Sequence, residues 1–110
     1  MEKFQLYVVN LDPTVGAEMQ KTRPCLIVSP DEMNTYLRTV IIVPLTSIQR
    51  GLPTRVLIKA TVDSGLGNDS YAAIDQIKTV DKSRLSGPIG VISEAEKQSV
   101  SSILKEMFDY

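Results

Sequence analysis

Only one stretch of this chain carries apolar residues at helical spacing, and it lies near the C-terminal end. Val100, Ile103, Leu104, Met107 and Phe108 recur at intervals of three and four, which places them on one face of a helix. Ser93 and Glu96 precede them as the S-x-x-E pattern in which each side chain caps the other residue's backbone N–H. Everywhere else the apolar residues come in short β-branched or aromatic runs punctuated by glycine and proline. Such a pattern predicts an α+β chain, mainly β: a small antiparallel barrel of about six strands with a C-terminal packing helix. The apolar stripe of that helix is assigned to the core, and the apolar surface that it and the run 40–45 offer beyond the needs of a small barrel is expected to serve pairing of two copies.

The runs can be placed one by one. Phe4 to Val9, Pro24 to Ser29, Thr39 to Leu45, Thr54 to Ala60 and Tyr71 to Ile77 read as strands, and Gly87 to Ile92 as extended chain. Pro44 has no N–H for a ladder, so the strand around it is expected to meet an edge, a bulge or an end there. Asn10 to Thr22 reads as a long loop, Gly51 to Pro53 as a turn and Asp63 to Ser70 as a turn-forming loop. Ser29 and Pro30 fit the cap and first position of a short helix, and Asp81 fits the cap of a single turn ending at Leu85. With 110 residues, the chain is expected to form one domain over 1–110.

Composition narrows the chemistry. There is no histidine, which removes every mechanism that uses an imidazole base. Cys25 is the only cysteine and adjoins the apolar run Leu26, Ile27, Val28, so it reads as a buried small hydrophobe rather than a nucleophile. Aspartates and glutamates are scattered without metal-ligand spacing, so no metal and no cofactor are expected. The start of the chain lacks the features of a signal peptide, and no apolar run approaches bilayer length, which predicts a cytoplasmic protein with no membrane contact. The net charge of −1 is uneven. Residues 21–59 hold six basic and two acidic residues, a local excess of +4, which can mark an anion site.

Three segments carry polar groups where apolar strands begin or end. In Lys21-Thr22-Arg23-Pro24, an arginine at a loop-to-strand junction offers a forked, permanent cation suited to phosphate, or to a neighbouring carboxylate. In Thr46-Ser47, two hydroxyls follow Val43-Pro44-Leu45 and can donate to an anion, or satisfy backbone groups in a turn. Asp75-Gln76-Ile77-Lys78 can hydrogen-bond base edges and hold a phosphate, or be solvated strand positions. Gly65-x-Gly67 lacks the context of a phosphate loop.

Taken in order, YVVNLDPTVGAE (7–18), KTRPCLIVSPDEMN (21–34), VIIVPLTS (40–47) and AIDQIKTVDKSRL (73–85) resemble the MazF/Kid (PemK) family of toxin endoribonucleases. The resemblance implies an SH3-like barrel, a homodimer, and metal-independent, sequence-specific cleavage of single-stranded RNA to a 2′,3′-cyclic phosphate and a 5′-hydroxyl. It also implies neutralisation by a cognate antitoxin whose flexible tail covers the RNA groove, and DNA binding together with that antitoxin. The family's catalytic arginine falls on Arg23, its catalytic threonine on Thr46, and the acidic residue of its first loop on Glu18. Its groove-lining positions fall on Asp75, Gln76 and Lys78, with Gly16, Lys21 and Ser47 as further RNA-contact candidates. The chain departs from the family at Val15 and Ala17, where members often carry a basic residue and a serine. Two other readings are kept: a non-enzymatic gyrase poison of the CcdB type, which shares the fold, and a catalytically dead RNA-binding module.

Overall fold

The computed structural model describes residues 1–110. Seven strands are found: β1 (Gln5–Asn10), β2 (Thr22–Ile27), β3 (Thr39–Thr46), β4 (Arg55–Ile58), β5 (Ser70–Ala73), β6 (Lys78–Asp81) and β7 (Leu85–Val91). Two α-helices accompany them, α1 (Asp31–Tyr36) and α2 (Glu94–Phe108). All pairings are antiparallel, and the sheet runs β4-β5-β3-β2-β1-β7, with β6 also on β3.

The hub is β3. Its first half pairs with β6 from Thr39↔Asp81 to Ile42↔Lys78, and its end pairs with β5 at Leu45↔Ala72 and Thr46↔Tyr71. Pro44 lies between these two ladders, where the strand changes partner. The expected interruption is therefore a change of neighbour, and β3 runs on through Pro44 to Thr46.

The uninterrupted apolar character of CLIV and VIIV has a direct cause. Successive side chains of a strand face opposite ways, and here both faces are buried. Leu26, Val28, Val43 and Leu45 enter one core with Leu6, Ile58, Ile74 and Val100. Cys25, Ile27, Val40 and Ile42 enter a second core with Tyr7, Val9, Leu11 and Val80. Helix α2 covers the first, through fully buried Val100 and partly buried Ile103 and Leu104. The long loop after β1 covers the second, through Leu11 and Met19.

Local signals are realised to different extents. Ser93 Oγ accepts from Glu96 N (3.2 Å) and Glu96 Oε1 from Ser93 N (2.9 Å), so the capping box forms; Glu96 Oε2 also accepts from Lys59 N (2.8 Å), tying the helix to the residue after β4. Asp81 caps a single 3-10 turn, Lys82–Arg84, by accepting from Ser83 N (2.8 Å). Four expectations need correction. The cap of α1 is Pro30, without a side-chain bond, because the Ser29 hydroxyl is used by Ile41 N (3.1 Å) and Asn34. Tyr71 to Ile77 is not one strand: it breaks after Ala73 into a 3-10 turn, Ile74–Gln76, before β6. Met107 and Phe108 lie outside the core, with Phe108 68% exposed, and the part of α2 that packs ends at Leu104. The run 40–45 is buried apart from partly buried Ile41, so it supplies no surplus apolar surface for assembly.

Glycine is required at Gly90. A Cβ there would stand 2.2 Å from the Ser64 carbonyl oxygen and 2.3 Å from that of Asp63, where the β4–β5 loop crosses β7. No helix is long and apolar enough to cross a membrane.

Candidate active site

Arg23 sits at the start of β2 and Thr46 at the end of β3. The β2–β3 register runs Ile27↔Ile42, Leu26↔Val43, Cys25↔Pro44, and two further steps set Arg23 against Thr46. Both residues border two clefts, one of about 490 Å³ and one of about 390 Å³, so they form the ridge between them.

The guanidinium is held by neutral groups. Arg23 Nε donates to the Gln20 carbonyl (3.2 Å) and Nη1 to the Leu45 carbonyl (3.2 Å), leaving Nη2 without a protein partner. No carboxylate pairs with it, so its charge is unspent. Thr46 is buried, and its Oγ1 accepts from Ile48 N (3.2 Å). The hydroxyl therefore does satisfy a turn, and this bond uses a lone pair and leaves its proton to give. Ser47 is exposed and borders the smaller of these two clefts.

The larger cleft is walled on one side by Ala17, Glu18, Met19 and Gln20 of the long loop. That loop is tightly fastened. Asp12 Oδ1 accepts from Lys21 N (3.0 Å), Arg84 donates to the Asn10 and Asp12 carbonyls, and Gln76 Oε1 accepts from Met19 N (3.3 Å). Glu18 closes a turn, accepting from Val15 N (3.4 Å) while its own N–H bonds the Val15 carbonyl (3.2 Å). Its carboxylate shares the cleft with Arg23 and Thr46. Gly16 has φ +58°, so its place follows from backbone conformation, and neither Gly16 nor Lys21 borders the cleft.

Asp75 and Gln76 lie on the 3-10 turn, and with Lys78 and Glu18 they border an adjoining cleft of about 240 Å³. Asp75 is fully engaged. Its carboxylate accepts from Arg55 Nε (2.8 Å), Arg55 Nη2 (3.0 Å) and Thr54 Oγ1 (2.9 Å). The Arg55 hydrogen bonds, and after them that of Thr54, hold its carboxyl below the usual carboxylate range. Arg55, counted above in the basic excess, is thereby neutralised. The cations left uncompensated at the larger cleft are Arg23 and Arg50, with the Glu18 carboxylate, likewise outside any ion pair, on the same wall.

Cys25 adjoins the site and takes no part in it. It is fully buried, and burial pushes its thiol up to about 12, against the opposing pull of Arg23. No three His, Cys, Asp or Glu side chains stand close enough to hold a metal ion.

Sequence reading overlooked Gln20, Ile48 and Leu52 as cleft walls, and the Arg55–Asp75 pair. These are loop residues or partners 20 positions apart, and no spacing rule connects them.

Residues 2–108 match the family model of the PemK-like, MazF-like toxins of type II toxin-antitoxin systems. The chain is 36% identical to endoribonuclease MazF9 of Mycobacterium tuberculosis, covering 99% of this chain and 97% of that protein. It is 33% identical to endoribonuclease EndoA of Bacillus subtilis, over 96% and 91% of the two chains. Its fold is similar to that of an endoribonuclease solved in complex with its cognate antitoxin from a mycobacterial species, with TM-score 0.78, 26% identity and coverage of 96% and 92%. With its Arg23–Thr46 ridge at the junction of β2 and β3, the chain belongs to the PemK-like, MazF-like family of type II toxins.

Proposed function

We propose that this chain is a toxin endoribonuclease that cuts single-stranded RNA in a sequence-specific manner, without a metal, and acts as one domain over residues 1–110. The observation that carries the reading is the ridge of Arg23 and Thr46, with an unpaired guanidinium nitrogen and an uncommitted hydroxyl proton between two clefts. When a ribose 2′-hydroxyl attacks the adjacent phosphorus, charge builds on the non-bridging oxygens. Fixed donors aimed at that charge lower the barrier, each by about 3 kcal/mol. Glu18 is the carboxylate within the same cleft and serves as the base that takes the 2′-hydroxyl proton. The P–O5′ bond then breaks, the departing 5′-oxygen takes a proton from water, and the products are a 2′,3′-cyclic phosphate and a 5′-hydroxyl. Gln76, Lys78 and Ser47 border the flanking clefts and contact the nucleotides there, whereas Asp75 contributes by holding Arg55. Gly16 and Lys21 contact RNA only at the outer rim of the loop.

The partner is a cognate antitoxin, as in the mycobacterial endoribonuclease complex. An acidic, disordered tail makes the same electrostatic demand as RNA on Arg23 and Arg50, so one groove serves both, and together with the antitoxin the toxin binds DNA. The toxin works as a two-fold dimer in the cytoplasm. Its apolar contact surface is drawn from exposed residues such as Tyr36, Leu37, Leu57 and Phe108.

The test is end-mapping of RNA fragments after incubation with purified protein in excess chelator. Cyclic-phosphate and 5′-hydroxyl ends at a recurring sequence are expected. Intact RNA, or cleavage that returns only with added magnesium, overturns the reading.

A further inference from the structure

One buried side-chain donor in the chain is orphaned, and it borders the Arg23–Thr46 cleft. The Arg55 side chain is 7% exposed; Nε and Nη2 are given to Asp75, and Nη1 is shielded from solvent with no hydrogen-bond partner. Leaving such a donor unmade forfeits its hydration with nothing in return. A buried donor left so calls for an explanation, and one on the wall of a cleft can be met by a ligand that enters it.

The surroundings define that partner. The charge of Arg55 is matched by Asp75, so the pair offers a directed N–H with no net charge, unlike Arg23 and Arg50. That favours a neutral acceptor over a phosphate. Gln76, on the same cleft, has given its Oε1 to Met19 N, which leaves its amide N–H groups. The adjoining wall, residues 47–53, lies outside every strand and is fastened by Ile48 N to Thr46 Oγ1 (3.2 Å) and Arg55 N to the Leu52 carbonyl (3.1 Å), so it can yield to uncover Nη1. On the major-groove edge the O4 of uracil and the O6 of guanine accept from such donors, whereas cytosine and adenine place an amino group at that position and set donor against donor.

We propose that the larger cleft is a base-reading subsite beside the scissile phosphate that selects uracil or guanine over cytosine or adenine. Arg55 Nη1 and the Gln76 amide are its donors. Arg55 is then a specificity residue, positioned by Asp75. The inference rests on the nuclease reading above and assigns its substrate preference.

The experiment uses the full chain on single-stranded RNA of randomised sequence, followed by matched oligonucleotides that differ only at a nucleotide flanking the cut. The keto base is expected to be cleaved about tenfold better than its amino counterpart, measured as kcat/KM. An analogue lacking the carbonyl, 4-deoxyuridine for uridine or 2-aminopurine for guanine, is expected to lose a similar factor with the unaltered protein. Arg55→Gln is expected to flatten the preference several-fold. Equal cleavage of keto and amino bases at both flanking positions overturns the inference, as does full tolerance of the analogue, which needs no variant. A folded Arg55→Gln protein with undiminished preference overturns it too. Failure to cut any RNA would defeat the nuclease reading itself and this inference with it, and so differs from cutting without base preference.

Discussion

Two arginines border the same cleft and are held in opposite ways. Arg23, at the β2–β3 junction, is gripped by backbone carbonyls and keeps its charge and one nitrogen free. Arg55, at the edge strand β4, is gripped through two nitrogens by a carboxylate, which cancels its charge and leaves one donor buried. Carbonyls position a cation without neutralising it, whereas a carboxylate positions it by neutralising it. The first arrangement suits the stabilisation of a charged intermediate. The second makes a rigid, neutral element of the wall.

This contrast can be broken first by deletion. Arg23→Ala is expected to lower the cleavage rate by about 10²–10³-fold, and Thr46→Val by a similar factor, since each removes one donor. The melting temperature should stay within a few degrees of the parent, because no ion pair is lost. Wild-type cleavage in a folded Arg23→Ala protein would show that carbonyl-gripped charge does no chemistry here.

The second prediction reverses the readouts. Arg55→Ala or Asp75→Ala should cost about 1–3 kcal/mol of stability, less than a fully enclosed pair because the Asp75 side chain is 32% exposed. Urea unfolding of the two single variants and the double variant would measure the coupling. A coupling near zero would remove the distinction between the two arginines.

The third concerns acid. The Asp75 carboxyl is held below its ordinary value, chiefly by hydrogen bonds from Arg55. A depressed folded value means that the stabilisation is full above the unfolded carboxylate value of about 3.9 and drains as pH falls through the folded one. Thermal unfolding between pH 5 and 2 should therefore show a steeper loss below about pH 4 for the parent than for Asp75→Asn. Parallel curves would contradict the assignment.

The smallest effect concerns salt. With Arg55 neutralised, a bound acidic antitoxin tail is steered by Arg23 and Arg50, so a displacement titration against an uncleavable RNA should weaken only modestly between low and physiological salt. Simultaneous, non-interfering binding of RNA and antitoxin would rule out a shared groove.

Much of the fold was legible in the residues because its determinants are local. The capping box at Ser93 and Glu96 and the Asp81 cap use partners two or three residues away. What stayed hidden depends on long-range partners. Ser29 reads as a cap until Ile41, twelve residues on, claims its hydroxyl. Tyr71 to Ile77 reads as one strand until the Ile74 N–H is seen bonding the Thr54 carbonyl. At the site, the family motifs marked Arg23, Thr46 and Glu18, which share a cleft. They marked Asp75 as a groove contact without showing that its carboxylate is occupied by a partner 20 residues earlier.

The loop between β1 and β2 has an evolutionary consequence. One face of it roofs the second core through Leu11 and Met19, and another walls the cleft through Ala17 and Glu18. Lengthening such a segment would unseat a core to remodel a groove, so insertions are a closed route to new targets. What remains free is the identity of outward side chains that pack into neither core, such as Val15, which is 80% exposed, and Ala17 on the cleft wall. Divergence in target choice along this lineage should be written as point replacements at constant loop length.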